Sequence, residues 1–116
     1  MDEITRNLAE TVAKLAQEKN AEEIVMLDVA GLCSYADALI VCHGRSNRQV
    51  QTIAEFIRTE MKHKGNLAIG MEGYQQGHWV LIDFGHVVAH IFYQPVRDFY
   101  DIEGIWPDAK SERFDA

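Results

Sequence analysis

Gly44-Arg45-Ser46 stands between an apolar run and a helical pattern, where backbone N–H groups at a helix start can take a phosphate. A nucleotide-transferring site built there also needs two or three carboxylates converging on a divalent metal. Asp83 is the available acid, but Leu81 holds the matching position before it. No acid-x-acid pair falls inside an expected strand, and Asp101 and Glu103 belong to an expected C-terminal helix. Ser46 is already explained as a helix N-cap. Among His43, His63, His78, His86 and His90, no two stand four apart on an expected helix, so zinc spacing is lacking. His90 and Asp83 share one face of an expected hairpin, yet no Ser or Cys has an evident place beside them to act as nucleophile. No catalytic residue, metal or cofactor is therefore expected. A nucleotide-binding enzyme using Gly44 to Ser46 remains the alternative reading.

With 116 residues, 47% of them hydrophobic and 25% charged, the chain has one domain's length and enough apolar surface for a core without staples. Cys33 and Cys42 are too few for a disulfide scaffold and suit a reducing compartment. Met1-Asp2-Glu3 opens with neither a basic nor an apolar leader, so a soluble, cytoplasmic protein without membrane contact is expected. Eighteen acids against eleven Lys and Arg give a net charge of −7. Phosphate backbones are held by clustered cations, so sequence-specific nucleic-acid binding is not expected. A basic protein surface is the better-matched partner.

Elements can be placed by periodicity. Ile4, Leu8, Val12 and Leu15 mark an amphipathic helix. Residues 21–29 read as a buried strand and 38–42 as another. Ser46, with Gln49 three residues on, opens a second helix carrying Val50, Ile53, Ala54, Ile57 and Met61, which Gly65 closes. A short strand is expected over 67–71, a loop over 72–78, then a hairpin of 79–84 and 87–93 around Gly85-His86. Pro95 ends the sheet, a helix follows over about 96–103, and residues 107–116 read as a loose polar tail behind one domain of 1–106. The fold class is α/β: a mixed five-stranded sheet with helices packed on it, in the order α-β-β-α-β-β-β-α.

Alternation sorts the hairpin. With Asp83 opposite Val88, Leu81 opposite His90 and Trp79 opposite Phe92, residues Val80, Ile82, Phe84, Val87, Ala89, Ile91 and Tyr93 share one apolar face, which belongs under helices. The other face carries Trp79, Leu81, Asp83, Val88, His90 and Phe92, large aromatics mixed with an acid and a histidine. Either it is an open partner surface or the C-terminal segment folds over it.

Several short stretches, in order, resemble the ribosomal silencing factor (Iojap-like) family. They are Leu27-Asp28-Val29, Ser34-Tyr35-Ala36-Asp37, Gly44 to Val50, Glu72-Gly73, Trp79 to Gly85, Val88 to Phe92 and Arg97 to Trp106. The resemblance implies a nucleotidyltransferase-like topology lacking the transferase's acids. It also implies a translational repressor that binds the large ribosomal subunit through ribosomal protein L-fourteen and sterically blocks the small subunit. A homodimer is implied off the ribosome. Carried over by position, the partner-binding group is Glu72, Gly73, Trp79, Leu81, Asp83, His90, Phe92, Arg97, Tyr100 and Glu103. Arg45, His86 and Gly104 depart from the family's pattern, the last by interrupting a short helix.

Overall fold

A computed structural model describes residues 1–114. Helix α1 (Glu3–Glu18) starts where the Asp2 carboxylate accepts the Thr5 N–H at 2.7 Å, an N-cap worth about 1 kcal/mol. Its inward line is Thr5, Ala9, Val12 and Ala16. Ile4, expected in that stripe, is 82% exposed, because it lies about 100° round the helix from Thr5.

Helix α2 (Asn47–His63) is capped by Ser46, whose Oγ accepts the Gln49 N–H at 3.0 Å. Gln49 does not reach back to Ser46, as a reciprocal capping box would. Its Oε1 takes the Arg45 N–H at 2.7 Å instead. At the other end Gly65 (φ +87°) lets its own N–H reach the Lys62 carbonyl while Asn66 N–H reaches Met61. That is a Schellman close, which needs the left-handed residue.

Strands β1 (Glu22–Asp28), β2 (Ala38–Gly44), β3 (Gly70–Glu72), β4 (Trp79–Asp83), β5 (Val87–Tyr93) and β6 (Lys110–Arg113) form one sheet in the order β3-β4-β5-β2-β1-β6. Only the central β2–β5 pair is parallel. The sheet thus has six strands where five were expected. The sixth comes from the segment read as a polar tail, which pairs antiparallel with β1 from Asp28↔Lys110 to Val25↔Arg113. All four of its side chains are exposed, so no hydrophobic alternation marked it; what holds it is the open edge of β1. The last two residues of that segment lie outside the described residues.

The hairpin register is as expected: Trp79↔Phe92, Leu81↔His90 and Asp83↔Val88. One sheet face presents Ile24, Met26, Ala38, Ile40, Cys42, Val80, Ile82, Val87, Ala89 and Ile91 to α1 and α2, all buried. Burial pushes the Cys42 thiol up to about 12, leaving it an inert core group.

The opposite face is shared. Helix α3 (Gln94–Tyr100), with Pro95 in its first turn, is shorter than expected because Asp101 turns left-handed (φ +44°), and a 3-10 helix follows over Ile102–Ile105. Gly104 belongs to that turn: a Cβ there would lie 2.5 Å from the Asp101 carboxylate. This segment and Trp106 pack with Val25, Leu27, Leu39, Val41, Val88 and Phe92 into a second core. It covers β1, β2 and β5 and reaches the outer flank formed by β4 and β3 only at its margin, where Trp79 and Leu81 pack half-buried against it.

Candidate partner-docking face

Trp79, first residue of β4, lies half-buried on that flank. Its indole stacks on Phe92 with ring centroids 4.9 Å apart and planes at 29°. Indole Nε1–H donates to His90 Nδ1 at 3.0 Å. Since the indole can only donate, His90 accepts at Nδ1, and its hydrogen sits on the buried Nε2, which has no hydrogen-bond partner among the described residues. Tyr100 leans on the outer side of Trp79 (5.1 Å), and Phe99 meets Tyr100 edge-on at 5.1 Å. Three rings thus run from the sheet onto α3, ending in Tyr100 at 55% and Phe99 at 81% exposure.

Carboxylates accompany the row. Glu72 on β3 stands opposite Leu81 and is exposed. Half-buried Asp83 accepts the Gly85 N–H at 2.7 Å, holding the hairpin turn. Gly73 follows with φ +82°, and a Cβ there would overlap the Trp79 carbonyl oxygen. Only glycine lets the loop pass this close to β4.

Three of the expected partner-binding residues lie beneath this surface instead of on it. His90 and Phe92 are 2% and 0% exposed, the indole and the second core lying over them. Arg97, at 7% exposure, faces inward as a strut. Its Nη1 donates to the Glu23 carbonyl at 2.8 Å and to His43 Nδ1 at 2.9 Å, and its Nε to Glu103 Oε1 at 3.0 Å. Glu103 is therefore engaged within the chain. On this face Glu72 and Tyr100 are exposed, Trp79, Leu81 and Asp83 are half-buried, and Val88, His90 and Phe92 are covered. Phe99, in contact with Tyr100, adds to the surface without having been singled out. A seven-residue helix is too short for periodicity to tell its outer side from its inner one.

The Gly44 to Ser46 turn is tied to the first turn of α2. Arg45 N–H goes to Gln49 and Gln49 N–H to Ser46, while the Arg45 side chain pairs with Glu22 at 2.7 Å. Among the described residues, no group of three or more His, Cys, Asp or Glu is placed to hold a metal ion.

Desolvation pulls His90 down to about 4 from the usual 6.5. The unfolded chain then binds the extra proton first as pH falls, so His90's contribution is complete above about pH 6.5 and is lost on the way to pH 4. Between pH 7 and pH 5 it should cost about 2 kcal/mol. Urea unfolding at both pH values checks this, with His90→Phe expected to show the smaller difference; equal pH dependence in the two proteins would refute it.

The family model "Ribosomal silencing factor during starvation" matches residues 2–116. The ribosomal silencing factor RsfS of Bacillus subtilis is 38% identical over 104 residues, covering 90% of this chain and 88% of that protein. The protein of the same name from Chromobacterium violaceum is 40% identical over 103 residues, covering 85% and 84%. A crystal structure of a Chromobacterium violaceum protein superposes with a TM-score of 0.87 at 33% identity, over 100% of this chain and 95% of that one. The Bacillus subtilis and Chromobacterium violaceum RsfS proteins are named as silencing factors and not as enzymes. By matched length, identity and shared fold, the chain belongs to the ribosomal silencing factor family.

Proposed function

We propose that this protein represses translation by docking on the large ribosomal subunit, through ribosomal protein L-fourteen, and blocking the small subunit by bulk alone. The reaction is binding without turnover, in the cytoplasm with the ribosomes, and two copies pair when the protein is off the ribosome. The observation that carries this reading is the Trp79–Tyr100–Phe99 row, aromatic and exposed at its outer end, with Glu72 and Asp83 on the same sheet flank. Aromatic rings are the usual anchors of an interface. Carboxylates at the rim steer a basic partner and repel RNA, so encounter follows the protein component of the subunit.

Phe99→Ala tests the reading with least disturbance, since an 81% exposed ring contributes within about 0.5 kcal/mol to stability. The variant should unfold with the parent and follow the large subunit through a sucrose gradient about tenfold more weakly, with subunit joining restored in step. Unchanged cosedimentation by both Phe99→Ala and the double change Phe99→Ala/Tyr100→Ala would refute the placement of the face. A protein that follows neither subunit would refute the function itself.

A further inference from the structure

Charge is not spread evenly over this acidic chain. Five of its eleven Lys and Arg (Arg45, Arg48, Arg58, Lys62, Lys64) lie between residues 45 and 64, against two of its eighteen acids, Glu55 and Glu60. The C-terminal half of this basic stretch borders a groove of about 220 Å³ lined by Arg58, Thr59, Lys62, His63, Leu67 and Ala68. Arg58 is held by Glu55 at 2.8 Å and His63 lies 3.6 Å from Glu60, whereas Lys62 is exposed and has no ion pair among the described residues. Leu67 and Ile69 stand 70% and 73% exposed beside it, unusual for aliphatic side chains in so short a segment. They lead directly into β3, the terminal strand of the sheet, whose outer side pairs with no strand among the described residues.

We propose that this groove and the β3 edge form a second docking surface, for an extended polypeptide segment that alternates acidic and aliphatic residues. Such a segment would lie extended along the groove and the β3 edge, with aliphatic side chains against Leu67 and Ile69 and carboxylates at Arg58 and Lys62. A phosphate backbone answers only the cations. It offers nothing to two exposed aliphatic residues or to an unpaired strand edge, and for that reason a protein segment fits better than RNA. Strand β3, which carries Glu72, borders both surfaces, but Arg58, Lys62, Leu67 and Ile69 lie outside the Trp79–Tyr100–Phe99 row, so variants at these four residues test this surface apart from the silencing reading.

The probe is a fluorescein-labelled, blocked peptide Glu-Val-Glu-Leu-Glu-Val, titrated with the full chain and read by anisotropy. Saturable binding is expected, at least tenfold weaker for Arg58→Glu/Lys62→Glu and at least fivefold weaker for Leu67→Ser/Ile69→Ser. All four side chains are exposed, and circular dichroism is the check that the variants fold. The same peptide with Lys in place of Glu should not bind. Absence of saturable binding overturns the proposal, as does binding that the variants leave unchanged. Tighter binding of a single-stranded RNA oligonucleotide at the same residues would make this a nucleic-acid surface instead. Self-association that the same variants abolish would make it an interface between two copies.

Discussion

Replacing Arg97 with alanine should lower stability by about 3–5 kcal/mol and loosen the aromatic row, although Arg97 is itself buried below that surface. The guanidinium ties three separate parts of the chain together: the Glu23 carbonyl in β1, the His43 ring in β2 and the Glu103 carboxylate in the 3-10 helix. Arginine stays charged throughout and can only donate. His43 is therefore held with Nδ1 accepting, its Nε2 turned toward Glu22 at 3.3 Å. Removing the cation leaves a carbonyl and an imidazole nitrogen buried without their donor, and Glu103 without its partner. Arg97→Lys, with one compact charge in place of a fork, should recover less than half of the loss. Urea unfolding measures the first effect. Limited proteolysis after residue 94 measures the second, because α3 and its two outer rings are fastened by this contact. A loss below about 1 kcal/mol would mean that the second core alone holds α3.

Trp79→Ala should act on both stability and binding. Truncating a half-buried indole that stacks on Phe92 costs about 2–3 kcal/mol, and His90 then loses its Nδ1 donor while Nε2 has no partner among the described residues. Large-subunit binding should fall by at least about 2 kcal/mol, roughly thirtyfold, as for a central aromatic anchor. Trp79→Phe separates the two contributions, because it retains a ring on Phe92 and gives up only the hydrogen bond to His90. It should unfold about 1 kcal/mol earlier while holding most of the affinity. Equal losses of binding by the two variants would place the affinity in the indole N–H and not in the aromatic body.

The hairpin was legible because two signals coincide there. Gly85-His86 fixes a tight turn, and strict alternation on either side leaves a single register, so Trp79, Leu81 and Asp83 could be assigned to one face before any coordinates. What alternation does not reveal is how far the opposite side is covered. That depends on where α3 turns, and the turn is set by Asp101 in the left-handed region together with Gly104 beside its carboxylate. Arg97 was misplaced for a similar reason. An arginine near the end of a short helix belongs in water unless a distant acceptor waits for it. Here the acceptor is a backbone carbonyl freed at an irregularity in β1, where Glu23 takes φ +46° and the register with β2 shifts between Glu22 and Val25. His43 gave no warning either, since the apolar run ends at Cys42 while the strand continues to Gly44. The sixth strand carries no apolar residue at all, and edge pairing of a polar segment leaves no trace in hydropathy.

The parallel pairing of β2 with β5 bears on how the chain folds. It joins residues 38–44 to residues 87–93 at the centre of the sheet, across a loop whose closure entropy has to be met before those contacts return anything. Both long helices are complete well before β5, but the surface they must cover is not assembled until β5 slots between β4 and β2. A fragment ending ahead of residue 87 would hold helices with half a floor beneath them and remain a fluctuating collapsed state. Acquisition of the native core therefore waits on one long-range encounter, and refolding should take milliseconds to seconds instead of the microseconds typical of helical bundles.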